Sequence, residues 1–264
     1  MATGISGYLK WLNIAAFVLT VVVNSLAGST TMIGGVNTAQ VSDSNPTLVT
    51  PAGYVFAIWG IIYVLLAVFV ITQAMPKEKD KEYHKKIGWL FVLSCLINIV
   101  WLFMWQYEQM VISVVLMLCL LLSLMMIYLR LDIGRSNVPR REKLSVQLPF
   151  SVYFGWISIA TIANISAMLV SLDWDGFGIT QAMWAVVIIA VAVILTLLMV
   201  KLRKDVAFGF VVIWALLGIS VKQSANSDVA TAAQIGAVIV LIALVAAILL
   251  PKFMKRASEP QKAG

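Results

Sequence analysis

The sequence predicts an all-α protein, a polytopic membrane helix bundle of about eight transmembrane helices. Three observations carry that prediction. The 264-residue chain is 61% hydrophobic and 12% charged, against about 25% charged in soluble domains. Apolar segments long enough to span a bilayer recur from end to end, at about 9–28, 52–74, 87–106, 110–130, 148–170, 181–201, 206–221 and 229–250. With that count, 18 of the 19 lysines and arginines fall on one side, leaving Lys222 opposite. Merging or splitting a middle span would scramble the segregation.

The positive-inside rule then makes both termini cytoplasmic and suggests a bacterial inner (plasma) membrane. The net charge of +7 resides in loops and gives no reason to expect a nucleic-acid partner. Cys95 and Cys119 both fall inside apolar segments and read as small core hydrophobes.

The first span, 9–28, ends near Ser25-x-Ala27, the small-residue spacing of a signal-peptidase site. Retention is expected; cleavage there would leave seven spans with the same later orientation. A long polar loop, 29–51, follows on the outer side. The second span opens at Pro51, a residue suited to a helix N-terminus. It carries Trp59 and Tyr63, four apart and so on one face. A lysine-rich loop, 75–86, holds His84, the only histidine, expected as a solvated surface residue. Asn98, Trp101 and Trp105 share one face of the third span. In the fifth, Tyr153, Trp156, Ala160 and Asn164 do the same after Pro149.

Small residues in pairs, Ser151 and Gly155, Ala163 and Ala167, Ala232 and Gly236, allow close helix packing. Asp173–Trp174–Asp175 forms an acidic outer loop, and the eighth span reads as plain scaffold. Residues 1–170 are expected as a five-helix bundle, 171–250 as three additional helices, and 251–264 as a basic cytoplasmic tail.

No Asp, Glu, Arg, Lys or His lies deep within any of these spans. That disfavours an ion-coupled transporter built on a midplane charge, and it leaves no histidine in the membrane to hold haem iron or zinc. No serine–histidine pair, phosphate loop or paired carboxylate is present, so no catalytic residue is expected. The interior polar groups are indoles, phenols and amides. Counted from each span's outer boundary, Trp59 and Asn98 lie about 12 Å deep, Asn164 about 9 Å and Trp156 about 21 Å. Amides at such depth either tie helices together or line a cavity for a flat, apolar ligand with polar edges.

These same residues resemble the TspO/MBR family, the tryptophan-rich sensory proteins related to the mitochondrial translocator (peripheral benzodiazepine receptor). Pro51 followed by Trp59-Gly60-Ile61-Ile62-Tyr63 is similar to the family's second helix. Leu96-Ile97-Asn98 with Trp101 resembles its third. Tyr153-Phe154-Gly155-Trp156 and Ala160-Thr161-Ile162-Ala163-Asn164 resemble its fifth.

The resemblance covers roughly residues 9–170. It implies that the first five helices form a TspO-like bundle with a pocket beneath the first loop, binding porphyrins, sterols or benzodiazepine-like drugs. Trp59, Tyr63, Asn98, Trp101, Tyr153, Trp156, Ala160 and Asn164 would be its ligand-binding residues. Two departures stand out: Leu48 and Val49 occupy the stretch where family members often carry a loop tryptophan, and Val152 replaces a proline. A sterol-type pattern is missing after the fifth span, with only a weak match at Leu124…Tyr128…Arg130.

The expected function is binding, sensing or passage of a planar hydrophobic molecule such as a tetrapyrrole, with the bilayer and a hydrophobic small molecule as partners. A homodimer is also envisaged. No cofactor is required, porphyrin or haem entering as ligand. The alternative is a secondary transporter of a small metabolite, which gradient-dependent uptake would distinguish. An enzyme acting on porphyrin ranks last.

Overall fold

The computed structural model describes residues 4–79 and 81–258, and no strand occurs among them. Eight long helices carry the fold: α1 (Gly4–Ser29), α2 (Ile58–Ala74), α3 (Leu90–Gln106), α4 (Met110–Arg130), α5 (Leu148–Ser171), α6 (Gln181–Arg203), α7 (Val206–Lys222) and α8 (Ser227–Ser258). Among the described residues, six helical segments are long and apolar enough to cross a membrane. The other two, α3 and α7, are apolar but have 17 residues each, a length of about 26 Å. Large apolar side chains face outward around the bundle, among them Val64, Val111, Leu195 and Ile242. A soluble monomer rarely tolerates such a surface; acyl chains suit it.

Helix α1 packs on α2 and α3, α3 on α4, α4 on α5, and α5 on α2, which closes a five-helix ring. Helices α6, α7 and α8 pack pairwise on one another. Helix α7 joins the two groups by lying along α5 and against the turn Gly53–Ala57.

Lipid tails are as apolar as leucine, so helices in a bilayer associate through close packing and interhelical hydrogen bonds. Both are visible. Asn13 donates to Gln73 at 2.8 Å, tying α1 to α2, and Asn24 donates to Asn98 at 2.7 Å, tying α1 to α3. Gln234 on α8 donates to Ser220 on α7 at 3.0 Å. The small pair predicted on the fifth span lies where α7 docks: Gly155 leaves room for Phe208 and Val211, and the Ser151 hydroxyl donates to Asp205 at 2.7 Å.

On the face carrying the basic loops, Asp205 is the main junction. It is buried, caps α7 by accepting from Phe208 N at 3.1 Å, and accepts the Tyr128 hydroxyl of α4 at 2.8 Å. Tyr128, the centre of the weak sterol-type match, is thereby turned inward. Beside it Arg203 meets Asp132 at 2.6 Å.

Three expectations change. Pro51 does not open the second helix: a 3₁₀ turn, Gly53–Ala57, intervenes and α2 starts at Ile58. His84 is not freely solvated. The loop folds back as a short helix, Tyr83–Ile87, which half-buries the imidazole against the Tyr83 ring at 4.3 Å and brings Nε2 to 2.8 Å from the Glu78 carbonyl. Burial pushes the His84 pKa down from 6.5, partly opposed by that hydrogen bond. Finally, the eighth helix runs on through Pro251 to Ser258; the basic tail beyond it lies outside the described residues.

On the opposite face, the loop after α1 contains a short helix, Thr38–Ser44, closed by a capping box between Asn37 and Gln40. The chain then dips into the bundle, burying Thr47, Val49 and Thr50.

Candidate functional site: an aromatic cluster in the ring

Trp59 stands at the centre of an aromatic cluster. Tyr63, one helical turn on, lies nearly parallel to it at 5.7 Å, and Trp101 of α3 does so at 6.5 Å. From α5, Tyr153 and Trp156 present their edges at 6.0 and 6.2 Å. The predicted indoles and phenols of three helices therefore meet around one side chain. Offset-stacked and edge-on arrangements are those the aromatic quadrupole favours.

The depth estimate needs correction. Trp59 and Trp156 touch, although counting from the helix ends separated them by about 9 Å. The loop stretch before Pro51 already lies inside the bundle, so residue 52 is not the outer boundary.

The amides do something else. Asn164 accepts from Trp101 Nε1 at 2.9 Å and donates to Ser113 at 2.9 Å, linking α3, α5 and α4. Asn98 is fully buried and accepts from Asn24. Their visible work is to hold helices together. Trp156 Nε1, Tyr63 OH and Asn98 Nδ2 are buried with no hydrogen-bond partner among the described residues.

A cavity of about 50 Å³ remains between Trp59, Trp101, Trp156, Ala160 and Asn164, roofed by Thr50, Pro51 and Phe56. Asn98, Tyr63 and Tyr153 do not line it. A space of this size holds a water or two, so the rings pack on one another.

The TSPO-like protein family model matches residues 10–247, which takes in most of all eight helices. The chain belongs to the TSPO-like protein family. No curated protein and no solved structure matches it. Family membership and the apolar helices make it an integral membrane protein of a family associated with small hydrophobic ligands, with an aromatic cluster inside the ring.

Two features of this TSPO-like chain escaped the sequence reading. Helix α7 holds the roof of the cluster: Gly218 O accepts from Ala52 N at 3.1 Å, Trp214 Nε1 donates to Val55 O at 3.1 Å, and Gln223 donates to Thr47 O at 3.3 Å. Lys222, the basic residue apart from the rest, pairs with Asp43 of the loop helix at 2.9 Å. Its isolation in the charge pattern was the available signal. The second feature is a larger cavity outside the ring, about 480 Å³, between α5, α6 and the loop stretch Thr47–Val49. Trp184 lines it, and that residue belongs to no motif.

Proposed function

We propose that this TSPO-like protein binds a planar hydrophobic small molecule, such as a tetrapyrrole, in the aromatic cluster, for sensing or for passage through the membrane. The observation that carries this reading is the setting of Trp59, with four rings around it and the Trp156 N–H and Tyr63 hydroxyl buried nearby without partners. Buried polar groups are nearly always paired; a flat ligand with polar edges would pair these two while stacking on the indoles.

The cavity as it stands is far below the roughly 300–1,000 Å³ of small-molecule sites. Binding therefore has to part the rings, and Trp59 among them is only half-buried. A porphyrin or haem would be held through the faces of its macrocycle. Among the described residues no three His, Cys, Asp or Glu side chains gather to hold a metal, and His84 lies among the basic loops. The charge segregation supports placing both termini in the cytoplasm, and we assign the protein to a bacterial inner membrane.

Titrating the purified protein with protoporphyrin IX while following tryptophan fluorescence tests the proposal. Saturable quenching is expected. Trp59→Ala removes one indole face that would stack on the ligand, worth about 0.5–1.5 kcal/mol, and so weakens binding roughly two- to tenfold. Absence of saturation, or equal affinity in Trp59→Ala, refutes the reading.

A further inference from the structure

The cavity outside the ring has a lining unlike that of the aromatic cluster. One wall is α6, where residues 181, 184, 185 and 188 lie on one helical face. The other is the end of α5 with Leu169 and Val170, and the loop stretch Leu48–Val49 closes it from the side. Its lining includes two indoles and two carboxylates. Trp174 and Trp184 lie 5.3 Å apart with planes at 50°, and Trp184 is fixed by donating Nε1 to Gly176 O at 2.9 Å.

Asp173 and Asp175 are both exposed and both line the cavity. Asp175 caps its own turn by accepting from Phe177 N at 3.0 Å, while Asp173 makes no ion pair among the described residues. Among the described residues no Lys, Arg or His lines the space. Lys222, the basic side chain of this face, is already engaged with Asp43.

Each feature selects the same chemistry. A volume of about 480 Å³ lies within the range of small-molecule sites. Its apolar walls take an apolar body. Indole faces attract an ammonium through their quadrupole, and two exposed carboxylates with no cation among the described lining residues make the cavity anionic. We infer that this cavity is a second ligand site, distinct from the aromatic cluster, for an amphipathic organic cation with an apolar body and an ammonium head. The head meets Trp174, Trp184 and the two aspartates, and the body lies between α5 and α6. The ammonium comes either from a free amine or from a lipid headgroup.

Tritiated benzyltrimethylammonium, bound to immobilised protein in maltoside micelles (which carry no ammonium), provides the test. Saturable binding is expected, displaced by the unlabelled cation and not by neopentylbenzene, its uncharged isostere. The double variant D173N/D175N should bind about three- to tenfold more weakly, because Asn keeps the size and the turn-capping ability of Asp. Trp184→Phe should weaken binding too, while Trp59→Phe should leave it unchanged. Thermal unfolding of each variant separates lost binding from lost fold. Added phosphatidylethanolamine that competes identifies a lipid headgroup as occupant; no competition identifies a free amine. No saturable binding, equal affinity in D173N/D175N, or equal displacement by neopentylbenzene overturns the inference. Failure of protoporphyrin binding leaves it standing, since the two cavities use different indoles.

Discussion

Replacing Asp205 by alanine tests what joins α6–α8 to the ring. The side chain accepts from the Tyr128 hydroxyl of α4, the Ser151 hydroxyl of α5 and Phe208 N at the start of α7. Loss of the cap alone costs about 1 kcal/mol. The Tyr128 and Ser151 hydroxyls, on buried residues, would be left without their acceptor at about 1–3 kcal/mol each. Because Ser151 can turn back to its own helix carbonyl, the low end applies to it, and the sum comes to about 3–5 kcal/mol.

Asp205→Asn keeps the cap and one side-chain acceptor, so it should lose about half as much. Thermal unfolding in detergent, followed by loss of the monodisperse peak, gives the ranking wild type above D205N above D205A. A Tyr128→Phe background supplies the control: D205A should cost less there, because one stranded donor is already gone. Equal midpoints for wild type and D205A, or full additivity with Tyr128→Phe, would refute the junction.

Two further outcomes follow from the geometry. Gly218→Ala improves helix propensity by about 1 kcal/mol, yet its Cβ would overlap Val55 Cγ2 and sit 3.1 Å from Pro51 Cβ; a net loss of about 1–3 kcal/mol is expected from overpacking, recovered when Val55→Ala makes room. His84 has its pKa lowered by burial, so between that value and 6.5 the unfolded chain binds the extra proton and stability rises with pH. The unfolding midpoint should hold above pH 6.5, fall as the pH drops below it, and fall less in His84→Gln; a midpoint that rises on acidification refutes the sign.

The helices were legible because length and hydropathy alone define a span, and Met110–Arg130 falls where the apolar run begins and ends. The aromatic cluster was legible for a related reason: Trp59 and Tyr63, or Trp101 and Trp105, share a face by spacing, and an indole that deep needs company. What spacing cannot supply is the partner of an amide. Asn164 reads equally well as ligand group or tie, and its bonds to Trp101 and Ser113 depend on how α3, α4 and α5 lie side by side. Asp205 was hidden because it sits in a turn, where a carboxylate is ordinarily solvated; its burial comes from α4 and α5 closing over the turn. The second cavity was illegible because its walls belong to helices packed apart, with no motif crossing the gap.

The roof over the aromatic cluster shows why the last three helices matter to the first five. Thr47 to Ala57 is poor in regular backbone pairing: Pro51 lacks a donor, and the 3₁₀ turn that follows satisfies only part of its own chain. Inside a bilayer unpaired backbone groups are costly, so this stretch needs partners from elsewhere. Helix α7 supplies them through Gly218 O, the Trp214 indole and Gln223, and Gly218 permits the approach because any side chain there would strike Val55. The ring thus has its floor of indoles from its own helices and its roof pinned by a helix some 160 residues further along the chain. The proposed ligand, entering from the loop face, would meet a stretch bonded to α7, so the roof is held by the last three helices as well as by its own turn.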